Sequence, residues 1–214
     1  MCAFAPFSGP GPTVITVPGL HGSGEHHWQT LWERSRPGTV RADLGRWNMP
    51  ERDGWVVQLD EAIRRAEAPV ILAAHSLGCL AVAWWAQLLP QPYGWPVAGA
   101  LLVAPADVDR PDAPAELRRF APAPATPLPF PAIVVASADD PWVSTARAHS
   151  LAAGWGARFV EVGPRGHLNA ESGVGAWPEG QALLDDLVDA TGPGCRAAAA
   201  PGFAMATHAP RGSA

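Results

Sequence analysis

The chain has 214 residues, of which 48% are hydrophobic and 16% charged, and its formal net charge is −5. That length and balance suit one globular domain with a full core and exclude a disordered chain. The acidic balance argues against nucleic acid or an anionic membrane as partner, and no run of ~20 apolar residues could span a bilayer.

In chain order, Met1 to Pro6 lacks the basic and apolar regions of a secretory signal, so the reading is a cytoplasmic protein. Thr13 to Val17 is β-branched and ends at Pro18-Gly19, which predicts a buried strand. His26 to Ser35 reads as a helix with Trp28, Leu31 and Trp32 on one face, and Thr39 to Leu44 as a second strand. Trp55, Val56, Leu59, Ile63 and Ala66 recur at a helical period, predicting a helix from Asp53-Gly54 to about Ala66, which Pro69 stops. Val70 to Ala74 is strand and Ser76 to Leu89 helix, followed by strand at Val97 to Val103.

Residues 106–131 are rich in Pro, Asp and Ala and predict a loop excursion or small cap, with one short helix from Ala113 to Phe120. Ala132 to Ala136 is strand, Ser144 to Trp155 helix, Arg158 to Val162 strand and Gln181 to Asp189 a last helix. Continuous apolar strands alternating with helices predict an α/β fold, a mostly parallel sheet of about six strands covered on both faces. The domain is expected to span residues 1–190, with 191–214, mostly Gly, Ala and Pro, as a flexible tail. The 24 prolines and 22 glycines fit many tight connections. Three scattered cysteines, Cys2, Cys79 and Cys195, suit neither a disulfide framework nor a metal knuckle, and Cys79 reads as a buried small hydrophobe.

The chemistry gathers at strand ends, where open α/β sheets place functional groups. Ala74-His75-Ser76-Leu77-Gly78 joins a strand to a helix through a serine flanked by small residues, the pattern of a nucleophile elbow, with alanine where glycine is usual. Asp139-Asp140 and Gly166-His167 each follow a later strand, giving the order Ser, Asp, His of α/β-hydrolases. A serine hydroxyl needs a base to take its proton, and His167 can serve. A carboxylate must orient that imidazole; Asp140 fits the Asp-x-x-Val form of Asp140 to Val143, with Asp139 as competitor. Oxyanion donors are expected from the backbone N–H groups of Leu77 and Leu20, with Gly19 allowing close approach.

The competing readings are plainer. Ser76 could cap a helix. His75 reads as a structural hydrogen-bonding residue. His21, His26 and His27 lack a zinc spacing and read as a loop cluster, so no metal and no cofactor is expected. The glycines of Gly19-x-x-Gly22-x-Gly24 lack the order of a phosphate loop. Trp28, Trp142 and Trp177 could line a pocket or simply pack; Gly19, His21 and Trp142 are the substrate-contact candidates. Asn169 and Glu171 could anchor the His167 loop.

Taken together, Pro18 to Ser23, His26-His27-Trp28-Gln29, Ala74 to Gly78, Val103 to Asp107, Leu128 to Pro131, Ala136 to Val143 and Gly166 to Gly173 resemble the small α/β-hydrolases of the retinoblastoma-binding-protein type, over residues 12 to 190. The resemblance implies a compact α/β-hydrolase sheet lacking two leading strands, with little lid. It implies Ser76 as nucleophile, Asp140 as acid and His167 as base. The expectation is a carboxylesterase of small or short-acyl esters, acting through an acyl-enzyme on a small-molecule ester. The competing expectations are a non-catalytic or weakly catalytic protein-binding module on the same scaffold, or thioesterase or perhydrolase chemistry on the same residues.

Overall fold

The computed structural model describes residues 11–66, 69–89 and 96–191. Six segments form strands: β1 (Thr13–Val17), β2 (Thr39–Arg41), β3 (Val70–His75), β4 (Val97–Val103), β5 (Ala132–Ala136) and β6 (Arg158–Glu161). They make one sheet, ordered β2-β1-β3-β4-β5-β6, with every neighbouring pair parallel. The helices between and after them are α1 (Trp28–Ser35), α2 (Arg52–Arg65), α3 (Leu77–Leu88), α4 (Ala115–Arg118), α5 (Thr145–Trp155) and α6 (Pro178–Thr191).

The lack of alternation in the strands follows from cover on both sides. Every residue of β3 and of β4 is buried. Val70, Leu72 and Ala74 belong to one core with Trp55, Leu59 and Ile63 of α2, Leu80 and Trp85 of α3, and Trp155 of α5. Ile71 and Ala73 belong to the other, with Trp28 and Trp32 of α1 and Leu184 and Leu187 of α6. Helix α3 is buried at every position from Leu77 to Trp85, which is why its sequence is apolar all round rather than on one stripe. Cys79 lies within it, fully buried.

Three elements differ most from the sequence expectation, each for a local reason. Strand β2 ends at Arg41, although Ala42 N–H still reaches Thr16 O at 2.9 Å. The Asp43 carboxylate then accepts from Gly45 N–H at 3.0 Å, and the chain curls beside Trp55, whose Nε1 donates to Gly45 O. Helix α6 starts at Pro178, not Gln181, because proline suits a first helical turn whose N–H has no partner. Gly180 permits this start: a Cβ there would lie 2.1 Å from the Trp177 ring folded over that turn. In the 106–131 excursion only Ala115–Arg118 is helical, with Pro114 just before it and Pro122 shortly after.

Cys2, Cys195, the N-terminal segment read for a signal and residues 192–214 of the expected tail lie outside the described residues. No helix among those described is long and apolar enough to cross a membrane.

Leu72 is fully buried in the middle of β3. Leu72→Ala is expected to lower unfolding free energy by about 3 kcal/mol in urea denaturation, through lost burial and the cavity left behind. A loss under about 1 kcal/mol would contradict this account of the core.

Candidate active site

The sheet changes direction between β1 and β3: the chain leaves β1 for β2 on one side and later proceeds from β3 to β4 on the other. Such a switch point opens a crevice at the carboxyl ends of the two strands. The β1 loop and the β3–α3 turn meet in that crevice.

The turn is tight. Ser76 has φ 53° and ψ −121°, a conformation costing on the order of 1–3 kcal/mol, held by the elements on either side. Its N–H extends the sheet ladder to Val103 O at 2.9 Å, and its carbonyl accepts from Cys79 N–H at 3.0 Å. Gly78 cannot carry a side chain, since a Cβ would stand 2.3 Å from Val17 O and 2.7 Å from Pro18 O. At Gly19, a Cβ would lie 2.8 Å from Ser76 Cβ and 3.2 Å from Leu77 N. The two glycines thus let the β1 loop rest directly on the elbow.

Ser76 sits at the N-cap of α3, yet its side chain makes no cap hydrogen bond. Its Oγ lies 2.9 Å from His167 Nε2 instead. His167 Nδ1 is 2.9 Å from both Asp140 oxygens, and the Asp140 side chain is fully buried. A carboxylate only accepts, so Nδ1 carries the ring proton and the Nε2 lone pair faces the serine hydroxyl. Asp140 Oδ1 also accepts from Trp142 N–H at 2.8 Å, which fixes the carboxylate.

His167 is held from two directions. Its carbonyl accepts from His75 Nε2 at 2.9 Å, and the next carbonyl, of Leu168, from Trp28 Nε1 at 3.0 Å. On the other flank, Asp139 Oδ1 accepts from Ser137 Oγ at 2.8 Å and from Gly166 N–H at 2.7 Å, while Ser137 Oγ accepts from Arg165 N–H. The Ser137 hydroxyl, and after it the Gly166 amide, hold the Asp139 carboxyl below its usual range. Asp139 therefore anchors the loop, and Asp140 is the acid that meets the imidazole.

Above Ser76 lies a cavity of about 290 Å³, lined by Leu20, His21 and Gly22 of the β1 loop and by His27, His75, Leu117, Trp142, His167, Asn169 and Glu171. Trp142 is partly exposed, with the Arg110 guanidinium 5.9 Å from its ring. Gly19 touches the elbow rather than the cavity. Trp28 and Trp177 pack against each other in the core at 5.4 Å. Asn169 bonds Ser172 within its own turn. The Leu77 N–H belongs to the first turn of α3, whose amides no helix carbonyl can meet. The Leu20 N–H donates to no carbonyl among the described residues.

The three β1-loop histidines part company. His21 Nδ1 pairs with Asn48 Oδ1 at 3.0 Å, His26 is exposed, and His27 is buried, its Nδ1 accepting from Gln29 N–H to cap α1. No group of three or more metal-ligating side chains occurs among the described residues. Six cavity residues were not among the site residues expected from the sequence: Gly22, His27, His75, Leu117, Asn169 and Glu171. Leu117 had no signal beyond a short helix in a Pro-rich stretch. The proximity of His27 to the helix start was the only hint of its cap.

Burial, then Arg41 and then the His167 imidazole lower the His27 pKa to about 4. His75 is driven well below its ordinary value by burial first, then by its two histidine neighbours.

Set beside known proteins, residues 14–186 match the serine hydrolase family. A solved structure described as a YdeN-like hydrolase, from Pectobacterium atrosepticum, is 35% identical, with TM-score 0.75 over 86% of this chain and 94% of that one. The ydeN gene product from B. subtilis shares the fold at 21% identity, TM-score 0.65, over 83% of this chain and 99% of that one. Est1E from Butyrivibrio proteoclasticus also shares it, at 13% identity and TM-score 0.60, over 84% and 86%. No curated protein matches the chain.

The neutral, buried His27 has a consequence for stability. Its folded pKa lies below the unfolded value of 6.5, so the unfolded chain binds the extra proton. Stability is full above pH 6.5 and falls as pH drops toward about 4, His27 alone accounting for about 2 kcal/mol by pH 5. His75 acts in the same direction. The urea midpoint should fall from pH 7 to pH 5, and fall less in His27→Asn; an equal fall in both proteins would contradict the buried neutral imidazole.

Proposed function

We propose, on the premise that the chain belongs to the serine hydrolase family and has the α/β-hydrolase fold, that it is a carboxylesterase of small, short-acyl esters. The observation that carries this reading is the unbroken hydrogen-bonded run from Ser76 Oγ through His167 to buried Asp140, opening on a cavity. Ser76 attacks the ester carbonyl while His167 Nε2 takes its proton, and the proton passes to the departing alcohol. Asp140 keeps the imidazole in the right tautomer and stabilises its charged form. The N–H groups of Leu20 and Leu77 hold the oxyanion, which glycine at position 19 favours by leaving the approach to Leu77 N open. Water then releases the acyl group by the same steps in reverse.

The small cavity supports short acyl chains, and α4, which contributes Leu117 to it, acts as the cap. The kinship with the retinoblastoma-binding-protein type rests on the motifs of the sequence. Thioester or peroxyacid chemistry on the same residues is separated by parallel kinetics on esters, thioesters and peroxide.

A fluorophosphonate probe is expected to label the wild type and not Ser76→Ala. An intact chain that never labels would instead favour a binding module. Asp140→Asn should lower kcat by roughly 10⁴-fold, as losing the orienting acid does elsewhere. Asp139→Asn should cost far less; the reverse ranking would reassign the acid. Faster hydrolysis of a long-chain ester than of an acetyl or butyryl ester would sink the short-acyl claim.

A further inference from the structure

Two buried side-chain polar atoms lack a hydrogen-bond partner among the described residues, and one of them, His27 Nε2, belongs to a residue lining the cavity over Ser76. Its tautomer follows from geometry. Nδ1 accepts from Gln29 N–H at 3.2 Å, so the proton of the neutral ring sits on Nε2. His27 is only 4% exposed, and a buried N–H donor without an acceptor is costly, on the order of 1–3 kcal/mol. The cavity's other imidazoles are committed: His167 to Ser76 and Asp140, His75 to His167 O, His21 to Asn48.

The position of the ring says which part of a substrate meets it. His27 packs edge-on against His75 with ring centroids 4.7 Å apart, and His75 lies 4.8 Å from His167. The neighbouring Trp28 bonds the loop at Leu168. His27 thus stands on the His167 flank of the serine. The leaving oxygen must take its proton from His167 Nε2, so the alcohol portion of an ester lies on that flank. Glu171, also among the cavity-lining residues, disfavours an anion there, which leaves a neutral oxygen as the fitting acceptor.

Resting on the esterase reading above, we propose that His27 is a substrate-binding donor that selects esters whose alcohol portion carries a neutral oxygen acceptor, such as an ether, hydroxyl or carbonyl. A site built to hydrogen-bond one group rejects the analogue lacking it, because its own polar atom then stays unpaired.

The test compares 2-methoxyethyl and n-butyl esters of one short acid, which differ by an ether oxygen in place of a methylene. The ratio of their kcat/KM values is read in wild type, in His27→Phe, which keeps the ring shape, and in His27→Asn, which keeps a capping side chain. The ratio should fall by about tenfold in both variants, the share of one buried hydrogen bond; comparing ratios cancels the intrinsic reactivities of the two alcohols. An unchanged ratio in both variants overturns the inference while leaving the esterase reading standing. A His27-dependent preference for the oxygen in the acyl portion, methoxyacetate over butanoate, overturns the alcohol-side assignment. Hydrolysis of neither ester by a folded wild type overturns the inference together with the reading beneath it.

Discussion

Everything in the site depends on how closely two pieces of backbone approach each other. The β1 loop at Val17 and Pro18 runs so near the start of α3 that position 78 has no room for even a methyl group, and position 19 none beside the serine. That contact forces the chain to reverse within one residue, and Ser76 takes the positive φ. A serine in the ordinary N-cap conformation would turn its hydroxyl back to the helix amides. Here the backbone turns it outward, toward His167. The strain is local, and the buried strand and helix on either side hold it in place.

The second requirement is that a loop stay still. His167 follows the edge strand β6, which of the six strands is the one with no buried residue, so the sheet alone does not fix it. Fixation comes from polar contacts on both flanks: His75 and Trp28 to consecutive carbonyls, Ser137 and Asp139 to the amides before the histidine. The residue next to the serine therefore also positions His167, so a shift of the elbow is transmitted directly to the imidazole. Neighbouring aspartates divide the work by geometry. Asp140 turns inward to the ring and Asp139 to the backbone, though both are the same residue type in the same turn.

How much of this was legible follows the physics of each element. Strands β1, β4 and β5 could be read to the residue because they are buried on both faces and bounded by Pro, Gly or Ala-Pro. Ser76, Asp140 and His167 stood out because each follows an apolar strand, and parallel sheets gather such ends. The end of β2 depends on Gly45 meeting Trp55 ten residues on, and the start of α6 on Gly180 lying under the Trp177 ring, packing details that residue types and periodicity alone do not reveal. His27 was hardest. In the sequence it is one of three loop histidines; its Nδ1 takes the local Gln29 N–H, but only tertiary packing buries the ring and leaves its Nε2 without a partner among the described residues. A retained polar atom with nowhere to bond is visible only in three dimensions.

The central claim is that Ser76 becomes covalently acylated. Rapid mixing with p-nitrophenyl acetate, acid quench and peptide mass spectrometry tests it most directly. The account predicts a burst of nitrophenol with one acetyl group per chain, on the peptide containing Ser76, and none in Ser76→Ala. Turnover of the ester that persists in Ser76→Ala, with the wild-type acetyl group found elsewhere or not at all, would contradict it.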